Sequence, residues 1–134
     1  YGSGGRNFVR TILDRGAPGG ALRVDDDQHG APSWTADIAD AIVRLLEVGA
    51  PNGTWHATNA GATTWSDLAC APGEPPGVPA VIDPVRTRAF PRPARRPHYS
   101  VRDCTKTEAL IGVMRPWREA LEAALTEGLW WSMT

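Results

Sequence analysis

The sequence predicts an α/β fold built from short strands and about four to five helices. Strand-like and helix-like patterns alternate along the chain. One stretch, residues 36–48, has clear helical periodicity. The strand-like stretches are few and short, which marks the chain as part of a larger α/β unit rather than a sheet of its own.

In chain order, Tyr1-Gly2-Ser3-Gly4-Gly5 is glycine-rich and reads as the tail of a strand-to-helix turn. Asn7 to Arg15 reads as a helix with Phe8, Ile12 and Leu13 on one face and Gly16 as its stop. Pro18-Gly19-Gly20 is a turn. Ala21 to Val24 alternates as a short strand, and Asp25 to Pro32 is a loop by composition. Thr35 can cap the next helix, Asp37 suits its positive end, and Ile38, Ala41, Ile42, Leu45 and Leu46 form its apolar stripe. Gly49 and Pro51 end it. Gly53 to Thr58 reads as a strand, and Thr63 or Thr64 starts a short helix through Trp65 and Leu68.

Residues 71–80 form a Pro/Gly-rich loop that cannot continue that helix. Val81-Ile82 is a short strand, and Pro91 to Pro97 is extended. Two helical stretches close the chain, about Arg102 to Ile111 and Pro116 to Glu127. In the second, Pro116 suits the first helical position, and Trp117, Leu121, Ala124 and Leu125 form the buried face.

The chain has 134 residues, which favours one domain. Its 14 basic and 15 acidic side chains leave a net charge of -1, so duplex nucleic acid is not the expected partner. No apolar run approaches the roughly 20 residues of a membrane span. No secretory leader pattern opens the sequence, and a cytoplasmic setting with reduced thiols at Cys70 and Cys104 is the expectation.

Four segments carry a resemblance. They are Tyr1-Gly2 with Asn7-Phe8-Val9; Asp27-Gln28-His29-Gly30-Ala31-Pro32 with Asp37-Ile38-Ala39; Gly53-Thr54-Trp55-His56 with Thr64-Trp65 and Asp67-Leu68-Ala69; and Phe90-Pro91-Arg92-Pro93-Ala94-Arg95-Arg96-Pro97-His98-Tyr99-Ser100 with Pro116-Trp117-Arg118. In this order they resemble the C-terminal, substrate-binding portion of dTDP-4-dehydrorhamnose reductase, an extended short-chain dehydrogenase/reductase. The resemblance implies that residues 1–134 grip a dTDP-linked 4-keto-6-deoxy sugar within an enzyme that reduces it with NADPH, in dTDP-L-rhamnose synthesis. A dinucleotide fold and a Tyr-x-x-x-Lys pair serve the redox step in such enzymes. Neither is present: the only lysine is Lys106, and residue 102 is Arg. A cofactor-binding domain is thus not expected within residues 1–134, NADPH is expected to belong to the parent enzyme, and this chain alone is expected to be inactive. Stretch 70–81 also departs from the family pattern, which continues a helix there. Some members hold Mg²⁺ at a dimer contact.

Diphosphate calls for the arginine fork. Arg96, just before Pro97, matches the arginine that related enzymes place on the diphosphate, and Arg95 is its neighbour; two solvated arginines in a Pro-rich loop are the plainer alternative. Asn7 either contacts substrate at a helix N-terminus or caps the helix. Gln28 either contacts sugar or base or ties down its own loop. Trp34, Trp55 and Trp65 suit core packing, or stacking on thymine. Trp130-Trp131 reads as an exposed edge or a docking surface. The Asp25-Asp26-Asp27 run reads as a solvated loop rather than a cation site, and the His and Cys residues lack zinc spacing. Two further readings remain: a non-catalytic protein-interaction module, since a regulatory subunit of methionine adenosyltransferase resembles the same family, and a truncated remnant.

Overall fold

A computed structural model describes residues 1–16, 21–71, 81–89 and 93–127. The turn at Pro18-Gly19-Gly20, most of the 71–80 loop, the start of the Phe90–Ser100 motif and Trp130-Trp131 lie outside the described residues.

Among the described residues five α-helices and four short strands are interleaved. α1 (Phe8–Gly16) leads to β1 (Ala21–Asp25) and β2 (His29–Gly30); α2 (Thr35–Glu47) follows. β3 (Thr63–Thr64) runs into α3 (Trp65–Cys70), then come β4 (Val81–Val85), a 3₁₀ turn at Thr87–Ala89, α4 (Thr105–Ile111) and α5 (Trp117–Thr126). β1 and β4 pair in parallel with Leu22 opposite Ile82 and Asp25 opposite Val85. β2 and β3 pair antiparallel, His29 opposite Thr64. Among the described residues both sheets have two strands, and Pro84 in β4 pairs with β1 on one side only, where its missing N–H costs little.

The helices are held by four small apolar clusters. α5 presents two faces: Leu121 packs with Val9, Leu13, Leu68 and Trp117, while Ala120 and Ala124 lie under Trp34. The two alanines leave room for the indole, which is why a tryptophan at the head of α2 is buried. Ala41, Leu45, Ile111 and Met114 join α2 to α4. Ile12, Val24 and Ala69 join α1, β1 and α3. α1 therefore has apolar residues on two sides, one toward α5 and one toward the sheet that borders the site.

Several elements depart from their sequence reading. Thr35 is the first residue of α2 rather than its cap; Trp34 holds the cap position with no side-chain hydrogen bond. Thr35 instead gives its N–H to Tyr1 O at 2.9 Å. Gly2 lies so close to this corner that a Cβ there would stand 2.2 Å from Thr35 Oγ1. Gly53 to Thr58 forms no ladder, because no described strand lies alongside it; Ala60 bridges to Pro116 instead. β4 is longer than the two residues expected, since β1 supplies a partner for all five. α4 starts at Thr105, where Asp103 Oδ1 accepts the Thr105 N–H at 2.9 Å. Pro116 takes the N-cap of α5 rather than its first turn. Thr64 caps α3 as one alternative foresaw, accepting from Asp67 N at 3.0 Å. Gly49, at φ +66°, ends α2 in the left-handed conformation that glycine adopts freely. Among the described residues no helix is long and apolar enough to cross a membrane.

Candidate functional site

Two motifs far apart in sequence, Asp27–Pro32 and His98–Ser100, meet in space. His29 N–H donates to His98 O at 2.7 Å, and Ser100 donates to His29 O from its backbone N–H at 2.9 Å and its hydroxyl at 3.0 Å. His98 Nδ1 lies 3.1 Å from Asp27 O. The loop after β1 is itself fastened to the 3₁₀ turn. Asp27 Oδ1 accepts from Thr87 N–H at 3.0 Å and from its hydroxyl at 2.5 Å. The Thr87 hydroxyl and backbone hold the Asp27 carboxyl below the ordinary value, against the opposing effect of desolvation.

These ties carry Arg96 to the mouth of a cavity of about 350 Å³ between α1, β1 and the start of α3. Part of its lining is apolar: Phe8, Ile12, Leu22, Val24 and Trp65, with the Phe8 and Trp65 ring centroids 4.7 Å apart and tilted by 56°. The rest is mostly charged: Arg15, Arg23 and Arg96, with Asp25. Arg23 Nε stands 3.9 Å from Asp83 Oδ2, a loose pair with both side chains over half exposed. An apolar wall beside three guanidinium groups suits a ligand with a flat apolar end and an anionic end.

Two further hollows adjoin this one. A groove of about 440 Å³ runs along α1 past Gly4, Gly5, Arg6, Arg10 and Asp14, and it shares Thr11 and Arg15 with the first cavity. A smaller hollow of about 280 Å³, lined by Pro32, Thr58, Thr64, Ser100 and Arg102, shares Trp65.

The four candidate residues separate. Arg96 lines the first cavity and is exposed; Arg95 is exposed and lies on none of these three linings. Asn7 Oδ1 accepts the Arg10 N–H at 3.0 Å and Asn7 Nδ2 donates to Gly2 O at 3.0 Å, so its amide is engaged as a cap and clasp one residue before Phe8. Gln28 is only 6% exposed, and its Nε2 donates to Asp25 Oδ2 at 3.1 Å and Thr87 Oγ1 at 2.8 Å. It ties down its own loop. Trp34 is buried against α5, Trp55 donates to Pro51 O at 3.1 Å, and Trp65 is the tryptophan on the cavity wall. Sequence reasoning passed over Arg15 and Arg23. Arg15 reads as a helix-end cation and Arg23 as the polar side of a strand. Their one signal is that both flank Pro18-Gly19-Gly20, which the sequence reads as a turn.

Among the described residues no three His, Cys, Asp or Glu side chains gather to hold a metal ion. Cys70 and Cys104 are free thiols. Nor do Gly2 to Gly5 supply a dinucleotide's phosphate turn: Gly2 is spent on the close approach to Thr35. No hydride step is therefore derived for this chain.

Comparison with known proteins places this geometry. The chain is 44% identical to dTDP-4-dehydrorhamnose reductase of Streptomyces griseus over 127 residues, 90% of this chain and 42% of that protein. It is 42% identical to a probable dTDP-4,6-dihydroxy-2-methyloxan-3-one 4-ketoreductase of Streptomyces antibioticus, covering 95% of this chain and 44% of that one. Its structure superposes on that of dTDP-4-dehydrorhamnose reductase from Bacillus anthracis, solved in complex with NADP, with a TM-score of 0.85 and 32% identity over 95% of this chain and 45% of that one. The chain thus spans less than half the length of these relatives. Residues 1–129 match the RmlD substrate binding domain, and the chain belongs to that family.

Proposed function

We propose that this chain binds a dTDP-linked 4-keto-6-deoxy sugar, as the substrate-gripping portion of an NADPH-dependent dTDP-4-dehydrorhamnose reductase. The observation that carries this is the first cavity, whose lining Arg96, Arg15 and Arg23 share with the Phe8–Trp65 ring pair. The guanidinium groups suit the diphosphate and the aromatic wall suits the thymine. The regions of the relatives that this chain does not cover would hold NADPH and supply the proton donor. On this reading the work is cytoplasmic, because a nucleotide sugar is too highly charged to cross a bilayer unaided.

Calorimetric titration of the 134-residue chain with dTDP tests it. Saturable binding is expected, weakened about tenfold or more in Arg96→Ala, the loss of one charge-assisted phosphate contact. No heat at millimolar dTDP, or an Arg96→Ala chain that binds as the parent does, overturns the reading. Ketone reduction is expected only when a cofactor-holding domain is added.

A second reading, a protein-interaction module on the same scaffold, draws on one observation. α2 exposes Ile42, Val43 and Leu46 side by side. It predicts a defined complex in pull-down that is indifferent to dTDP.

A further inference from the structure

The first cavity and the groove along α1 meet at two side chains, Thr11 and Arg15. Arg15 stands in the last turn of α1, and among the described residues no carboxylate pairs with it. It shares the cavity lining with Arg23 and Arg96 and the groove lining with Arg6 and Arg10. The acidic residues are fewer and partly engaged. Arg10 Nε is 3.7 Å from Asp14 Oδ2, and Asp25 Oδ2 accepts from Gln28. A chain of net charge -1 has thus gathered five arginines on one continuous lining that holds two carboxylates, with Arg23 also loosely paired to Asp83 outside it. The apolar residues Phe8, Leu22 and Trp65 lie only at the cavity end. The groove end holds Gly4 and Gly5, where a Cβ would meet nothing within 4 Å, so the backbone there leaves open space beside the arginines.

We infer that Arg15 is the diphosphate-bridging residue of this site. The nucleoside end of the ligand occupies the cavity against Phe8 and Trp65, and the diphosphate crosses Thr11 and Arg15 so that its outer phosphate enters the groove of Arg6 and Arg10. The inference rests on the nucleotide-sugar reading and adds the direction in which the ligand lies. A guanidinium fork can hold two phosphate oxygens at once, which a lysine ammonium cannot do in the same geometry. The bridging role therefore asks for arginine at this position.

The test compares dTDP, dTMP and thymidine as ligands of the parent chain, Arg15→Ala, Arg15→Lys and Arg6→Ala, with circular dichroism melts of each. Arg15→Ala is expected to lose about tenfold in dTDP affinity, under twofold for dTMP, and nothing for thymidine. Arg15→Lys is expected to fall between parent and Arg15→Ala, and Arg6→Ala to weaken dTDP but not dTMP. If dTDP binding responds to Arg96→Ala and not to Arg15→Ala, the bridging role is overturned and the nucleotide-sugar reading stands. If the parent chain binds no dTDP, both fall. Equal losses for all three ligands in Arg15→Ala would mark a packing defect and also overturn the role; should that variant not fold, Arg15→Lys and Arg6→Ala read the same question.

Discussion

Asp37 shows how one side chain holds several segments. Its carboxylate accepts from Asn59 Nδ2 at 2.7 Å and from both Nε and Nη2 of Arg115, and Asn59 Oδ1 accepts the Trp34 N–H at 2.9 Å. Burial raises its pKa, but the hydrogen bonds from Arg115 and Asn59 outweigh burial and hold it below the ordinary 3.8. The same burial, with the Asp37 charge, pushes the nearby Tyr1 phenol well up. A carboxyl depressed in the folded state adds stability that is complete above its unfolded pKa and is lost as pH falls through the folded value. Asp37→Asn is therefore expected to be less stable than the parent at pH 7, with the gap closing as pH falls below about 4. Urea unfolding at pH 7 and pH 3 measures this; a gap that stays constant removes the role assigned to Asp37.

At the scale of elements, α3 is the one on which the site leans most. Its six residues are too few to hold a helix in isolation. It persists because Leu68 and Ala69 are buried in two different clusters and because Thr64 Oγ1 accepts the Asp67 N–H. Thr64→Ala is expected to cost about 1 kcal/mol and Thr64→Ser little, read from urea midpoints. Since α3 begins with Trp65, loosening it should also weaken nucleotide binding in the same titration, while a stability loss with unchanged binding would show that the Trp65 wall does not matter. The elements were legible where periodicity or a cap residue decides. α2 lies within a residue of its expected span, and Thr64 was one of the two candidate starts of α3. Legibility failed at residues 53–58, whose strand pattern is real but whose partner strand is a property of the neighbourhood, not of the segment.

For the molecule as a whole, the uneven burial of α2 is the main feature. Ala41 and Leu45 are in the core, while Ile42 is 53% and Leu46 75% exposed. Apolar surface left in water in a continuous stripe favours association. The Ile42→Gln, Leu46→Gln double variant is expected to raise the concentration at which light scattering appears, with little change in melting temperature. A parent chain that stays monodisperse at the same concentrations as the variant sinks this prediction.

The sequence by itself determined the α/β class and the family, because these rest on local periodicity and short motifs; the α2 stripe it drew held at Ala41 and Leu45 but not at Ile42 and Leu46, which are exposed. It also pointed to Arg96, since a basic residue before Pro97 sits in one of those motifs. Only the tertiary structure decided which neighbours Arg96 has. It turned Asn7 into a cap and Gln28 into a loop tie, because their amides are satisfied by groups close at hand. It brought Arg15 and Arg23 onto the same cavity lining as Arg96 by packing α1 against β1 and fastening His29 to Ser100, 71 residues away. Convergence of that kind depends on long-range hydrogen bonds and packing, which no spacing along the chain records.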